Sequence, residues 1–563
     1  MKKNKLLIFT GLFSLAIANV FAGNNEKGIE YFDAELYDAA KIFFLQQTNL
    51  SVTEQAESYY YLGQVYHRLN KSDSASYYYR KAIEASPDYP FGYVGEGKMM
   101  LLQGNKKAAE DLFKKANNYA KKNPAVQTTI AEVYVNIGDY INAIIALDKA
   151  KKVNSKYSGI YVVEGDMLMK QGKVGEACNR YDNAILFNKS DKIAYLKSAN
   201  VYKEINTNIA LDYLDRLIKI DPNYIPAYAV IGDIHREEGR YQKALEAYEK
   251  FIAIQGVPLK QHERYAQLLY FTDQYEQALD KIKSVMLKDP DNLVMKRLQA
   301  YNSLRLENFA LGLEQMNRFL EIMPVEDQIY HDYITLGQLA LEEKQILLAL
   351  EAFQKAIDKD PERSVKDNLY KRMASIASNA KLFPESVAYH EKYFEVEPSP
   401  ESSDFYYYGL ACYSAAGFYV DADNMALVKT PEEDAAFEAA FKEYINKGEK
   451  AFSELITRRP DSYLGYLWRA NNTSLLDKYD GDKGRKVVGY AKPLFEEAIA
   501  MMIENNPDGA RNKNIIDSYK YIVSYYGAIE DYPNVIEFCK KILQIDPNDE
   551  MARKTLTLLK VKF

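Results

Sequence analysis

Small apolar residues punctuate this chain at a fixed interval. Fourteen times a small residue is followed, usually twelve positions later, by another, and the pattern restarts about every 34 residues. The first of each pair runs Gly28, Gly63, Gly97, Ala131, Gly165, Ala199 and Gly232 through to Ala470, with Val523 the exception in size; the second runs from Ala40, Ala75 and Ala109 to Val535. Aromatic and aliphatic residues recur around each pair at helical spacing, and charges such as Lys106, Lys107, Glu110 and Asp111 fill the outer faces. Small side chains let two backbones cross closely, so each period predicts a helix, a short turn and an antiparallel helix. Pro222, Pro290, Pro324, Pro361, Pro398, Pro460 and Pro547 mark the ends of periods rather than linkers. The spacing therefore predicts one long array without a domain boundary.

The residues around the pairs carry a resemblance. Tyr59, Leu62, Gly63, Tyr66, Ala75, Tyr79, Ala82 and Pro87 form one set; Tyr228, Ile231, Gly232, His235, Ala244, Tyr248 and Phe251 repeat it, as do Leu336, Gly337, Ala340, Ala349, Phe353, Ala356 and Pro361. Over residues 24–549 the chain resembles a tetratricopeptide-repeat protein of the exported bacterial type. That resemblance implies an all-α solenoid, a right-handed superhelix of about fourteen helix-turn-helix units, whose concave surface is lined by the first helix of each unit and takes extended peptides or partner helices. Residues 549–563 are expected to form a C-terminal capping helix: Asp549 and Glu550 suit a helix start, and Met551, Leu556 and Leu559 can cover the last repeat.

Two repeats, within residues 410–500, break the spacing. Gly409 and Gly448 are 39 apart and Ala470 and Ala491 are 21 apart, which predicts two insertions in the turns between helices, adjacent in space. Thr430-Pro431-Glu432-Glu433 reads as a helix start, with Phe437, Phe441 and Tyr444 extending the following helix backwards. Asp480 to Gly489, glycine-rich and charged, reads as a mobile loop. Deleting residues 418–444 is expected to spare the remaining repeats and remove one interaction if the first insertion is functional, and to collapse the C-terminal repeats if it is a structural brace.

Residues 1–22 read as a signal peptide: Lys2, Lys3 and Lys5, an apolar run from Leu6 to Ile17, and Val20-Phe21-Ala22 as a cleavage site after Ala22. The expected location is the periplasm or the exterior, with no transmembrane segment in the mature chain. Seventy-two Lys and Arg against 79 Asp and Glu give a net charge of −7, a poor match to nucleic acid. Cys178, Cys412 and Cys539 lie in three different repeats, where small buried hydrophobes account for them better than a disulfide or redox role. The five histidines form no pair at metal-ligand spacing, and no catalytic motif survives inspection, so no catalytic residue, metal site or cofactor is expected. Most of the 48 tyrosines fall at core positions of the repeat.

Candidate partner-binding residues are those that project from the first helix of a repeat: Tyr60, Gln64, Arg68, Asn200 and Arg236, then a basic set, Lys260, Arg264, Arg297, Lys371 and Arg372, and the tyrosines Tyr270, Tyr301, Tyr406 and Tyr413. The basic set reads either as a site for an acidic peptide or as a solvated face. The function expected is a non-enzymatic scaffold that binds protein partners at the bacterial cell envelope; the alternative is a periplasmic protein that binds glycans or small ligands through exposed tyrosines.

Overall fold

The computed structural model describes residues 25–47, 50–425, 430–484, 488–504, 506 and 508–562; the expected signal peptide, residues 1–22, lies outside them. Among the described residues the chain is an all-α solenoid of fourteen helix pairs, A then B in each repeat, closed by a last helix Glu550–Leu558. Repeat 2 is typical, with A helix Val52–Arg68 and B helix Ser72–Ala85. A Ser51–Glu54 capping box starts the A helix, and Asn105, Asp139, Asp191 and Asp531 cap others by accepting backbone N–H bonds.

The period has a direct steric cause. The aromatic ring sixteen residues after the small A-helix residue lies flat on it: a Cβ added at Gly63 would sit 2.4 Å from the Tyr79 ring, at Gly165 2.4 Å from Tyr181 and at Gly337 2.4 Å from Phe353. These rings are buried to 1% exposure or less. The tyrosines hold their hydroxyls satisfied as well: Tyr79, Tyr181 and Tyr248 donate to Gln64, Asp166 and Asp233 of the A helix. At the first aromatic position Tyr93, Tyr161 and Tyr228 donate to the carbonyls of Pro87, Ser155 and Pro222 at the end of the preceding repeat. A polar tip with a fixed partner on an apolar body explains why tyrosine dominates here.

The turn from A to B places one residue at positive φ. It is Gly104, Gly138, Gly172 and Gly239 in four repeats, but Asn70, Asp273, Glu307, Lys344, Lys381 and Glu530 in others. The three cysteines are free and buried, and burial raises all three thiols, Cys412 to about 12 and Cys539 to about 11, as small core hydrophobes require.

The single array expected from the sequence is divided into two units, Met1–Leu306 and Glu307–Phe563, with the boundary between the A and B helices of repeat 9. Unit 1 has long-range contacts that a simple stack lacks. The backbone N–H of Ile225, at the start of repeat 7, donates to Glu30 Oε1 at 2.6 Å, and the Tyr224 hydroxyl donates to Asp33 at 3.4 Å. Leu36 and Ala39 of repeat 1 share one apolar cluster with Ile225, Phe251, Ile252 and Val257. Gly256, at φ +91°, lets the backbones meet: a Cβ there would lie 2.7 Å from the Ala39 nitrogen. Repeat 1 thus packs on repeat 7.

In unit 2 the insertions differ from expectation. The first does give a long B helix, Pro431–Arg458, started by the Thr430–Glu433 capping box. The second does not fall in the turn: the A helix of repeat 13 continues from Tyr463 through Asp482, because Leu475, Leu476 and Tyr479 prolong its apolar face. Tyr479 stacks on Phe441 of the long B helix at 4.5 Å, and Lys483 pairs with Asp434. Nor is the Gly489 end of this insertion loose: Asp477 accepts the N–H groups of Gly489 (2.8 Å), Tyr490 (3.1 Å) and Ala491 (3.2 Å) and the Tyr521 hydroxyl (2.5 Å). Val420 and Phe441 are buried in one cluster with Ala416, Ile445, Leu475 and Tyr479. Deleting residues 418–444 would therefore strip a core. The expectation that the remaining repeats tolerate it is withdrawn, and loss of the protected helices of repeats 12 and 13 in hydrogen exchange is the outcome now expected.

The last helix behaves as a cap. Asp549 accepts from Ala552 N–H, Ala552 and Leu556 are fully buried, and Met551 and Leu559 pack on the same cluster as Cys539 and Ile542. Truncation after Pro547 should raise amide exchange in the B helix Tyr532–Ile545 before any other helix of unit 2. Unchanged protection there would remove the capping role.

Candidate binding channel

The A helices of repeats 1 to 6 surround a cavity of about 520 Å³ in unit 1. Asn25 on Glu57 joins repeats 1 and 2, Lys98 on Gln64 joins 2 and 3, and Lys197 on Asp166 at 3.1 Å joins 5 and 6. The A helices of repeats 3, 4 and 5 touch in turn, and Lys203 meets Glu237 of repeat 7 at 3.4 Å. Since repeat 7 returns to repeat 1, the A helices close into a ring around the channel.

Four of the residues singled out from the sequence, Tyr60, Gln64, Arg68 and Asn200, line this cavity. Tyr60 is not a free platform, however. It is 7% exposed, its hydroxyl accepts from Gln64 at 2.7 Å, and its ring meets Phe91 at 5.8 Å. The sequence reading missed Asp33, Glu57, Tyr61, Glu132, Asp166 and Lys197, which line the same space. A signal for part of this set was present. Gln64, Glu132, Asp166 and Asn200 each directly follow the small A-helix residue, so in repeats 2, 4, 5 and 6 this position faces the channel.

The channel's charge is predominantly acidic, with Asp33, Glu35, Glu57, Glu132 and Asp166 against Arg68 and Lys197. Asp166 is bound by Tyr181 and Lys197, whereas Glu132 makes no hydrogen bond or ion pair among the described residues. Burial raises the Glu132 carboxyl, partly countered by Lys98. Burial also lifts Asp33 to about 7, although the Tyr224 hydroxyl and Lys192 oppose it. Lys98, desolvated behind the wall, falls to about 8, and His67 falls to about 4 through burial and the nearby Lys98 and Arg68.

The basic set does not assemble into an anion site. In unit 1, Arg236 pairs with Glu237 at 3.0 Å, Arg264 pairs with Asp233 at 3.0 Å, and Lys260 is exposed. Asp233 also accepts the Tyr248 hydroxyl, so Tyr248–Asp233–Arg264 repeats the arrangement of Tyr181–Asp166–Lys197. Arg264 is thus a brace between repeats 7 and 8, and Arg264→Ala should lower stability by about 1 kcal/mol in urea unfolding. Arg297 is half-buried, and Tyr270 and Tyr301 lean on each other at 6.4 Å. In unit 2, Arg372 covers the Phe353 ring at 4.7 Å, and Tyr406 and Tyr413 pack on Trp468 at 6.5 and 5.4 Å.

A second cavity, about 500 Å³, lies in unit 2 and is lined by Lys371, Ser375, Asn379, His390, Asp404 and Tyr407. Lys371 is neutralised by Asp404 at 2.5 Å. Burial alone would raise Asp404, but Lys371, the backbone N–H of Glu401 and the Tyr393 hydroxyl hold it below the usual carboxylate range. Burial pushes His390 down to about 4. Among the described residues no group of three or more His, Cys, Asp or Glu is arranged to hold a metal, and no helix is long and apolar enough to cross a membrane.

Comparison with known proteins agrees with the repeat geometry. Family models described as tetratricopeptide repeat match residues 56–89, 125–157, 193–224 and 225–256. Human DnaJ homolog subfamily C member 3 is 21% identical over 356 residues, 58% of this chain and 66% of that protein, so the match spans just under two thirds of the relative's length. A TPR repeat-containing protein of Methanocaldococcus jannaschii is 23% identical over 314 residues, 52% of this chain and 53% of its own. Among solved structures, the C-terminal part of a TPR repeat-containing protein from Cytophaga hutchinsonii is 22% identical and covers 52% of this chain and 99% of its own, with a TM-score of 0.34. Such repeats indicate a scaffold for protein–protein interaction. With small residues under aromatic rings at a 34-residue period and four repeats matched in register, the chain is a tetratricopeptide repeat protein.

Proposed function

We propose that this protein is an exported, non-enzymatic interaction scaffold of the bacterial cell envelope, and that unit 1 holds a short extended segment of a partner in its channel. The observation that carries this reading is Glu132, a carboxylate that makes no hydrogen bond or ion pair among the described residues, on the wall of a partly open, acid-lined and aromatic-lined cavity. A cation placed beside it would restore the interaction that burial removes from the charged form. The favoured segment is therefore lysine- or arginine-bearing, not the acidic peptide that is one reading of the basic set in the sequence. The cavity volume falls within the range of about 300–1,000 Å³ typical of small-ligand sites, so a few residues of a peptide are accommodated, not a folded domain.

The test is fluorescence anisotropy with an octapeptide containing three lysines and its glutamate counterpart. The lysine peptide should bind the wild-type chain at least tenfold more tightly, and Glu132→Gln should remove most of that preference. Equal binding of both peptides, or of neither, would refute the channel reading. The export reading has a separate check: N-terminal sequencing of the protein from its native host should start at Gly23, and a retained Met1 would refute it.

A further inference from the structure

Unit 1 surrounds its channel, and a contact between repeats 1 and 7 joins the two ends of the ring of A helices. We propose that repeat 1 is the gate of this channel: its two helices lift off repeat 7 to admit an extended partner segment and then close over it. The proposal rests on the reading that the channel holds a polypeptide, but the motion itself can be read without any ligand.

Three observations locate the moving part. First, repeat 1 is held from two sides, and only the repeat 2 side follows it directly along the chain. Toward repeat 2 it has buried polar and aromatic contacts: the Ser58 hydroxyl donates to Asn25 at 2.7 Å, Asn25 donates to Glu54 and Glu57, and Phe44 stacks on Tyr61 at 5.7 Å. Toward repeat 7 it has the Glu30 and Asp33 hydrogen bonds and one apolar cluster. The repeat 2 side is the hinge and the repeat 7 side the latch. Secondly, the helices of repeat 1 are short, Glu26–Asp33 and Tyr37–Gln46, so little else anchors them. Thirdly, the latch places one carboxyl, Asp33, on the channel wall. Asp33 is faced by Tyr224 from the start of repeat 7, Lys192 and Lys197 from repeat 6, Tyr61 from repeat 2 and Glu30 from its own helix.

These groups fix the sign of a pH response. Asp33 has a pKa raised to about 7 in the closed form, against 3.8 when solvated. The closed form therefore holds a proton that the open form releases. Closure is strongest near and below pH 4, weakens as pH rises toward 7, and changes little above it. A single proton sets a limit of about tenfold per pH unit.

Spin labels at Asp38→Cys in repeat 1 and Lys250→Cys in repeat 7, with Cys178, Cys412 and Cys539 replaced by Ala, report the latch distance in the full chain. Both label positions are exposed. The expected result is a short-distance population at pH 5.5 and a second, longer-distance population that grows at least threefold by pH 8. Asp33→Asn, which keeps the shape and a hydrogen-bonding side chain but cannot ionise, should hold the short distance at both pH values. Addition of the lysine octapeptide at pH 8 should return the wild-type chain to the short distance. One unchanging distance at both pH values, or the same pH response in Asp33→Asn, would overturn the gate. So would a peptide that binds by anisotropy without changing the distances. A peptide that does not bind at all would refute the channel reading, while the pH response would still decide the gate.

Discussion

Asp477→Ala should unfold the C-terminal part of unit 2 at markedly lower urea concentration, with a loss of about 3–5 kcal/mol. The side chain is 5% exposed and accepts three successive backbone N–H groups and a tyrosine hydroxyl. Removing the carboxylate leaves four donors without an acceptor, and each buried donor costs on the order of 1–3 kcal/mol. The loss should appear in hydrogen exchange as early opening of the helices Tyr463–Asp482 and Lys492–Glu504, which Asp477 joins. Asp477→Asn, whose amide oxygen still accepts, should lose about half as much. A change below about 1 kcal/mol for the alanine variant would mean that water replaces the carboxylate freely.

Gly165→Leu should be the most damaging substitution in the middle of unit 1. A Cβ at this position already lies 2.4 Å from the Tyr181 ring, so a longer side chain must displace the ring. With it go the 2.7 Å hydrogen bond from Tyr181 to Asp166 and the brace to Lys197 in the next repeat. Overpacking typically costs about 1–3 kcal/mol, and the lost hydrogen bond and brace bring the expected total to about 3 kcal/mol. Because each repeat relies on its neighbours, protection should fall in repeats 4 to 6 and spare unit 2. Thermal unfolding of the variant with exchange resolved by repeat measures this; a uniform loss through both units would contradict the nearest-neighbour picture.

The repeats were legible because their cause is local and periodic. A small residue under a ring must recur wherever two helices cross, and Gly63, Gly165 and Gly337 announce it in the sequence. The capping helix and the long B helix from Pro431 were legible for the same reason, since Asp549 and Thr430 act on their own first turns. What stayed hidden depends on residues far apart in sequence. Glu30 meets Ile225 across 195 positions, and no spacing rule connects them. The ion pairs of the basic set were hidden for the same reason: Arg264 and Lys371 project as expected, but Asp233 and Asp404 from neighbouring helices pair with them. The second insertion was misread because Gly481 and Gly484 suggested a loop, whereas Leu475 and Tyr479 had already committed the helix to packing on Phe441.

The residues at positive φ between A and B helices have an engineering consequence. Lys344, Lys381, Glu307 and Glu530 occupy a backbone conformation that costs a side-chain-bearing residue about 1–2 kcal/mol, where repeats 3, 4, 5 and 7 use glycine. Glycine at each would relieve that strain at an entropic cost of about 0.4–1 kcal/mol in the unfolded chain. The net gain per turn is small, but the turns are far apart and their contributions should add. The protein thus carries a set of independent positions, outside the channel, at which the stability of single repeats can be raised without altering what the inner face presents to a partner.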